Sequence, residues 1–335
     1  MYTAFVTGCS SGFGFLLART LLHCGHRVVA TSPSLEGGWV ERLDPRDRSQ
    51  LLVLPLDVRD AGEVRDAAAE AIAWAPVDVL VNNGGYAVFG SQEEADLEAV
   101  RDMLDVNVLG PARVTQALLP SLRASRGTIV QLSSVAGRTV FTESGFYAAS
   151  KHAIEALTEA LHQETATFGI RLRLVQPGSF DTGFLARAAR ESRPRDPSSP
   201  YAHLHPAWDE RKLSVLEPPQ DPALVVAAII GSLADPAPFL RIPVGPDAAR
   251  ILAVKDLLGA DGWSRLAGDR AGARAEHGPG QVPHPDELLA WADGAISAAE
   301  LEQRLAMVRR VAELGHLEHW EMTEAGRRAL GLVRR

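Results

Sequence analysis

Residues 4–14 read AFVTGCSSGFG, an apolar run that passes directly into glycines at 8, 12 and 14. The run has no polar alternation, so it suits a strand buried on both faces, and the GFGFLLARTLLHCG that follows has helical character. A strand that enters a helix through a glycine-rich turn is the opening of a βαβ unit. The first turn of such a helix offers free N–H groups and a favourable dipole to an anion, and glycine lets the backbone come close to it. Gly8, Ser10, Ser11, Gly12, Phe13 and Gly14 are therefore candidates to cradle a dinucleotide pyrophosphate, the serines adding hydroxyls. The spacing differs from G-x-G-x-x-G, a weak signal alone. The bland alternative is a tight turn that needs glycine only for its conformation.

Working outward, HRVVATS, QLLVLPLDV, VDVLVNNGG, GTIVQLSS, IRLRLVQPG and FLRIPVG repeat the strand pattern. Helical stretches separate them, including 99–124 and 149–168. This order predicts an α/β fold, a doubly wound parallel sheet of Rossmann-like type, with its ligand at the carboxyl ends of the strands. The Rossmann-like domain is expected over 1–266. Within it, the polar, proline-bearing 183–222 is too long for a plain connection and reads as a substrate lid or loop. A Gly- and Pro-bearing linker follows at 267–285, then a helical C-terminal extension at 286–335 with Leu301, Leu305, Val308, Val311 and Leu314 at helical spacing.

The chain has 335 residues, 46% hydrophobic and 23% charged, which is ordinary for a globular protein with a real core. Its formal charge of -8 disfavours a nucleic-acid partner, because affinity for a phosphate backbone rests on excess Lys and Arg. The first residues enter a strand without a basic, apolar leader pattern, and no apolar run is long enough to span a membrane. Only Cys9 and Cys24 are present, so a disulfide framework is not expected and a cytoplasmic location is. No metal site is expected: the His203 and His205 pair and the His316 and His319 pair lack companions at zinc-like spacing.

FYAASK, residues 146–151, places Tyr147 and Lys151 one helical turn apart with small residues between them. Positions four apart share a helix face. An ammonium beside a phenol stabilises the phenolate and is expected to lower the tyrosine pKa, giving a proton donor and acceptor. An isolated YxxxK is more often a core tyrosine and a solvated lysine, so the weight comes from accompanying motifs.

Those motifs resemble the short-chain dehydrogenase/reductase family. TGCSSGFG is similar to its TGxxxGxG loop and NNGG at 82–85 to its NNAG. Asn107 in DVNVLG, Ser134 in VQLSSVAG, YAASK and PGSFDT at 177–182 follow in the family's order, over roughly residues 3–245. The resemblance implies a NAD(P)(H)-dependent oxidoreductase interconverting a carbonyl and an alcohol. It implies Tyr147 as proton donor and acceptor, with Lys151 binding the nicotinamide ribose and depressing the tyrosine pKa. Ser134, thirteen residues before the tyrosine, would bind the carbonyl, and Asn107 would hold a water of a proton relay. Asp57, with Val58, would meet adenine; Asn83 and Gly84 would lie along the adenosine; Pro177, Gly178, Phe180 and Thr182 would fix the carboxamide. Phe141, Phe184 and Leu185, with Ser134 and Tyr147, would form the pocket for a small, fairly apolar alcohol, ketone or aldehyde. A homodimer or homotetramer is also implied.

The end of the second strand, ATSPS, carries neither acid nor base. Thr31, Ser32 and Ser34 offer hydroxyls to a 2′-phosphate and nothing repels it, so the balance favours NADP(H) over NAD(H). Gly84 replaces the family's alanine, and Pro33 stands where many relatives have a basic residue. Two other readings stand beside the enzyme: a non-catalytic dinucleotide-binding redox sensor, and a bifunctional protein whose tail binds a partner or DNA.

Overall fold

The structure is a computed structural model that describes residues 1–43, 48–193, 196–204 and 220–277. Among the described residues, seven parallel strands form one sheet in the order β3-β2-β1-β4-β5-β6-β7. They are β1 (Thr3–Val6), β2 (Arg27–Ser32), β3 (Leu51–Pro55), β4 (Val79–Asn82), β5 (Thr128–Leu132), β6 (Arg171–Pro177) and β7 (Phe239–Val244). The helices are α1 (Gly12–His23), α2 (Ala61–Trp74), α3 (Leu97–Leu104), α4 (Gly110–Ser125), α5 (Gly145–Thr165), α6 (Phe184–Glu191), α7 (Ala223–Ala234) and α8 (Pro246–His277), the last broken at Gly259.

Successive strand residues point to opposite faces, and both faces are covered. Ala4 and Val6 join one apolar layer with Leu17, Leu21 and Ile229, whereas Phe5 joins the other with Ala71, Leu118 and Leu122. This double burial explains the unbroken apolar strands. The strand order reverses between β1 and β4, so the loops after these two strands diverge and leave a crevice at the carboxyl edge.

Four stretches differ from the sequence expectation. The helix expected over 99–124 is two helices, α3 and α4, joined by a π turn at Asp105–Leu109 that carries Asn107. A single added residue in a helical turn leaves the apolar periodicity almost unchanged, so it is invisible to a pattern search. α5 begins at Gly145 rather than 149, which puts Tyr147 in its first turn. The 183–222 stretch contains α6, whose Ala188 is buried against the cluster around Tyr86 and Tyr147. At the other boundary, α8 continues past residue 266 to His277. Residues 194–195 and 205–219 of the expected lid lie outside the described residues, as do 278–285 of the linker and the whole 286–335 extension.

Candidate active site

A cavity of about 870 Å³ occupies the carboxyl edge of the sheet. Its floor is stitched across the strand-order reversal. The Thr7 hydroxyl accepts the N–H groups of Asn83 and Gly84, each at 3.0 Å. In return Asn83 Nδ2 donates to the carbonyls of Thr7 at 2.9 Å and Gly8 at 3.1 Å. Gly8 (φ 73°) and Gly12 (φ 56°) are left-handed, a conformation that favours glycine. Gly8, Ser10, Ser11, Gly12 and Phe13 line the cavity together with Asn83 and Gly84. Ser11 caps α1 in extended conformation without using its side chain on the helix.

Two residues expected at the cofactor do not face it. Gly14 is absent from the wall; a Cβ there would collide with the Gly8 carbonyl and lie 2.5 Å from Asn83 Nδ2, so this glycine serves the packing of α1 on the loop. Ser32 is buried inside β2, opposite Pro55 and accepting the Leu56 N–H at 2.9 Å, and Pro33 forms the wall there instead.

At one end of the cavity, Asp57 and Val58 line the wall with Arg59, which holds both Asp57 oxygens from Nε at 3.1 Å and Oδ2 from Nη2 at 2.7 Å. The guanidinium holds the Asp57 carboxyl below its ordinary range. Arg59 also lies 3.6 Å from Asp102, and the Arg187 guanidinium of α6 stacks 4.8 Å over the Tyr86 ring.

The other end gathers the hydroxyls. Tyr147 is buried between the rings of Phe89 at 5.8 Å and Phe184 at 5.6 Å. Ser134 accepts the Ala136 N–H at 3.1 Å and hydrogen-bonds the Tyr147 hydroxyl with its own. Ser133 is held differently, its side chain occupying the space beside Gly137 where a Cβ would fall. Lys151 donates to the Leu132 carbonyl at 2.7 Å, with Nζ 5.9 Å from the centre of the Tyr147 ring.

This geometry corrects the expected titration of Tyr147. Burial pushes its pKa up to about 12, opposed by the Ser134 hydrogen bond, rather than down. The lysine does not offset that burial: its Nζ is engaged by the Leu132 carbonyl. Burial also lowers Lys151 to about 8, against the pull of Glu155. Asn107 is buried and outside the cavity wall. Its amide donates to the Tyr86 carbonyl at 2.8 Å and to Ser150 at 3.1 Å, and its oxygen accepts the Tyr86 N–H at 3.1 Å. Its side chain thus braces the loop after β4 against α5.

Between the two ends runs the loop after β6. Pro177, Gly178, Phe180 and Thr182 line the cavity, Phe180 meeting Phe13 edge-on at 5.6 Å and Thr182 closing against Gly12. Phe141, Phe184 and Leu185 also line the cavity, and Phe184 packs against Tyr147. Sequence reasoning missed Thr7, Arg59, Arg187 and Asp247. Arg59 has a local signal, a cation two residues after Asp57; Asp247 has none, since its partners are distant in sequence. Burial raises the Asp247 pKa, opposed by hydrogen bonds from N–H groups.

A cavity of about 870 Å³ lined by a glycine loop, a carboxylate and the Ser134 and Tyr147 hydroxyls fits a dinucleotide and a small organic molecule. The comparisons agree. Residues 2–193 match the family model of short chain dehydrogenases. A 3-ketodihydrosphingosine reductase of Bacteroides thetaiotaomicron is 38% identical over 181 residues, covering 53% of this chain and 64% of that protein; the chain thus spans less than two thirds of that relative. The crystal structure of a short-chain dehydrogenase from Streptomyces avermitilis is similar over 82% of this chain and 95% of that one, with 32% identity and a TM-score of 0.66. A Burkholderia cenocepacia short chain dehydrogenase, solved in complex with NADP, covers 82% and 96% at 25% identity and a TM-score of 0.59. The chain belongs to the short chain dehydrogenase family.

Proposed function

We propose that this protein is a NAD(P)(H)-dependent oxidoreductase that interconverts a carbonyl and an alcohol on a small, fairly apolar substrate. The observation that carries this reading is the pairing of the Ser134 and Tyr147 hydroxyls at the apolar end of a dinucleotide-sized cavity. When bound, the nicotinamide supplies or accepts the hydride at carbon. The residues of the chain do the rest. In reduction, negative charge grows on the substrate oxygen, where Ser134 offers a hydrogen bond and Tyr147 transfers its proton. Phe89, Phe141, Phe184 and Leu185 keep that oxygen from water and favour an apolar substituent. Lys151, in the same cavity wall, holds the nicotinamide ribose. The Asn107 backbone, at the π turn, is the group placed to hold the relay water, since its side chain is committed to Tyr86 and Ser150.

Gly8 to Phe13 hold the pyrophosphate, Asp57 and Val58 the adenine, and Pro177 to Thr182 the carboxamide. NADP(H) is the preferred form: Pro33 leaves no acid to repel a 2′-phosphate, and the Burkholderia relative was solved with NADP. A keto substrate is supported by the Bacteroides relative, named for 3-ketodihydrosphingosine. Assembly as a homodimer or homotetramer belongs to the same reading. Among the described residues no helix is long and apolar enough to cross a membrane. The test is consumption of NADPH and of NADH by the purified protein with ketones, aldehydes and quinones. Oxidation of NADPH by a ketone supports the reading, and tight dinucleotide binding with no turnover across the panel replaces it with the sensor.

A further inference from the structure

Asp247 stands just beyond β7, at the start of α8 and in the cavity wall beside the loop that follows β6. It is 8% exposed. Oδ2 accepts the Ser179 N–H at 2.8 Å and Oδ1 accepts Gln220 Nε2 at 2.7 Å. Ser179 lies where the chain leaves β6 for α6, and Gln220 lies where it returns ahead of α7; Phe180 and Gln220 form a parallel bridge. One carboxylate therefore ties the outgoing and incoming segments together. The glycines around it record the fit. A Cβ on Gly178 would collide with the carboxylate, and one on Gly245 (φ 103°) would lie 2.5 Å from Oδ1. The sheet does not need this tie, because β6 and β7 already pair from Leu172↔Phe239 to Pro177↔Val244.

We infer that Asp247 is a positioning residue: acting through Ser179 and Gln220, it sets the loop 177–182 and so the placement of the nicotinamide ring against Tyr147. The inference rests on the dinucleotide reading above. Beyond Pro177, the end of β6, the loop has no regular secondary structure apart from the Phe180 bridge, and it presses on Gly12 and Phe13 across the cavity. A shift at its base therefore displaces the wall that faces the reactive ring, and displacements near 1 Å can cost about a hundredfold in rate.

The test compares Asp247→Ala, Asp247→Asn and Gln220→Ala with the wild type in three measurements. These are NADPH affinity by nicotinamide fluorescence, Tm without cofactor, and the primary isotope effect with 4-deuterated NADPH on a ketone that the wild type reduces. Asparagine keeps an oxygen for Ser179 and offers a donor to Gln220 Oε1, which is buried without a partner among the described residues. Asp247→Ala is expected to weaken NADPH binding roughly tenfold and to raise the isotope effect as hydride transfer becomes slower. Asp247→Asn restores most of both, and Gln220→Ala, which spares the Ser179 bond, falls between. A residue that only braced the fold would lower Tm and leave the affinity and isotope effect of the folded protein unchanged. That result, or asparagine as damaging as alanine, overturns the inference. If Asp247→Ala does not fold, wild-type values in Gln220→Ala overturn it instead. A wild type that binds neither NADPH nor NADH removes the dinucleotide reading and this one together, whereas normal wild-type binding with unaffected variants removes only this one.

Discussion

At the glycine loop the contacts that decide shape all have backbone on one side: carbonyls of Thr7 and Gly8 against the Asn83 side-chain amide, and a bare Gly14 Cα against the Gly8 carbonyl. At the Tyr147 end they are made by side chains that burial has moved away from their ordinary chemistry, a tyrosine raised to about 12 and a lysine lowered to about 8. The first region needs the absence of atoms, the second needs particular atoms in a dry place. Substitutions should therefore fail in different ways: added bulk harms the loop through binding and stability, while deleted polar atoms harm the reactive end through turnover.

The largest effect tests the reactive end. Tyr147→Phe removes one oxygen and keeps the ring between Phe89 and Phe184. Turnover should fall about 10²–10⁴-fold while NADPH affinity stays within about threefold of wild type. Steady-state kinetics beside a fluorescence titration measures both, and normal turnover in this variant would break the comparison at its stronger side.

Gly14→Ala tests the other end and should fail in the opposite manner. Its Cβ has backbone on one side and the Asn83 amide on the other, neither free to move without opening the β1–β4 stitch. We expect a loss of about 2–3 kcal/mol in urea unfolding, typical of overpacking at a tight backbone contact. NADPH binding should weaken in the fraction that stays folded. An alanine variant with wild-type stability and affinity would mean that the loop has more slack than its packing implies.

The same division governs what was legible in the sequence. The fold was readable because double burial writes itself into unbroken apolar runs such as LLVLP in β3 and VLV in β4. Tyr147, Lys151 and Ser134 were readable because one helical turn and a fixed separation carry them into one place. Gly14 was recognised as necessary but for the wrong neighbour, since a spacing pattern cannot tell a glycine that meets a ligand from one that meets a carbonyl. Ser32 closes the strand where the sequence ends it, but a strand's last residue can face either way, and here it is buried in register with Pro55. The direction of the Tyr147 shift was misread because adjacency in a helix gives distance between side chains, while desolvation depends on Phe89 and Phe184, far away in the chain. Asp247 escaped entirely, its partners lying at 179 and 220.

Lys151→Met separates function from stability at the reactive end. Folded Lys151 titrates at about 8 against an ordinary 10.5, so between these values the unfolded chain holds the extra proton. Stability at this site is therefore lowest below about pH 8 and recovers as pH rises toward 10.5. Methionine fills similar space without a charge. After the lost bond to the Leu132 carbonyl is allowed for, the variant should be more stable at pH 7 by on the order of 1–2 kcal/mol. That advantage should shrink between pH 8 and 10, and turnover should be lost at every pH. Unfolding of the cofactor-free protein at pH 7, 8 and 9.5 measures it, and an advantage that grew with pH would contradict a lysine kept in its charged form at the expense of the fold.

The smallest effect comes from Gly84, a glycine beside the same stitch that Gly14 packs against. Its φ is not in the left-handed region, and the nearest atom a Cβ would meet is the Thr7 hydroxyl at 3.4 Å, an ordinary contact. The N–H that donates to Thr7 is kept by any residue but proline. Gly84→Ala should therefore leave NADPH affinity unchanged and add roughly 0.5 kcal/mol to stability, chiefly by reducing the freedom of the unfolded chain. Paired with Gly14→Ala, it asks whether the loop is sensitive to bulk everywhere or only where backbone faces backbone. A loss of affinity in Gly84→Ala would show that the cofactor side of the stitch is as tight as the helix side, and the rule that absence of atoms matters only at Gly14 and Gly8 would have to extend along the whole floor of the cavity.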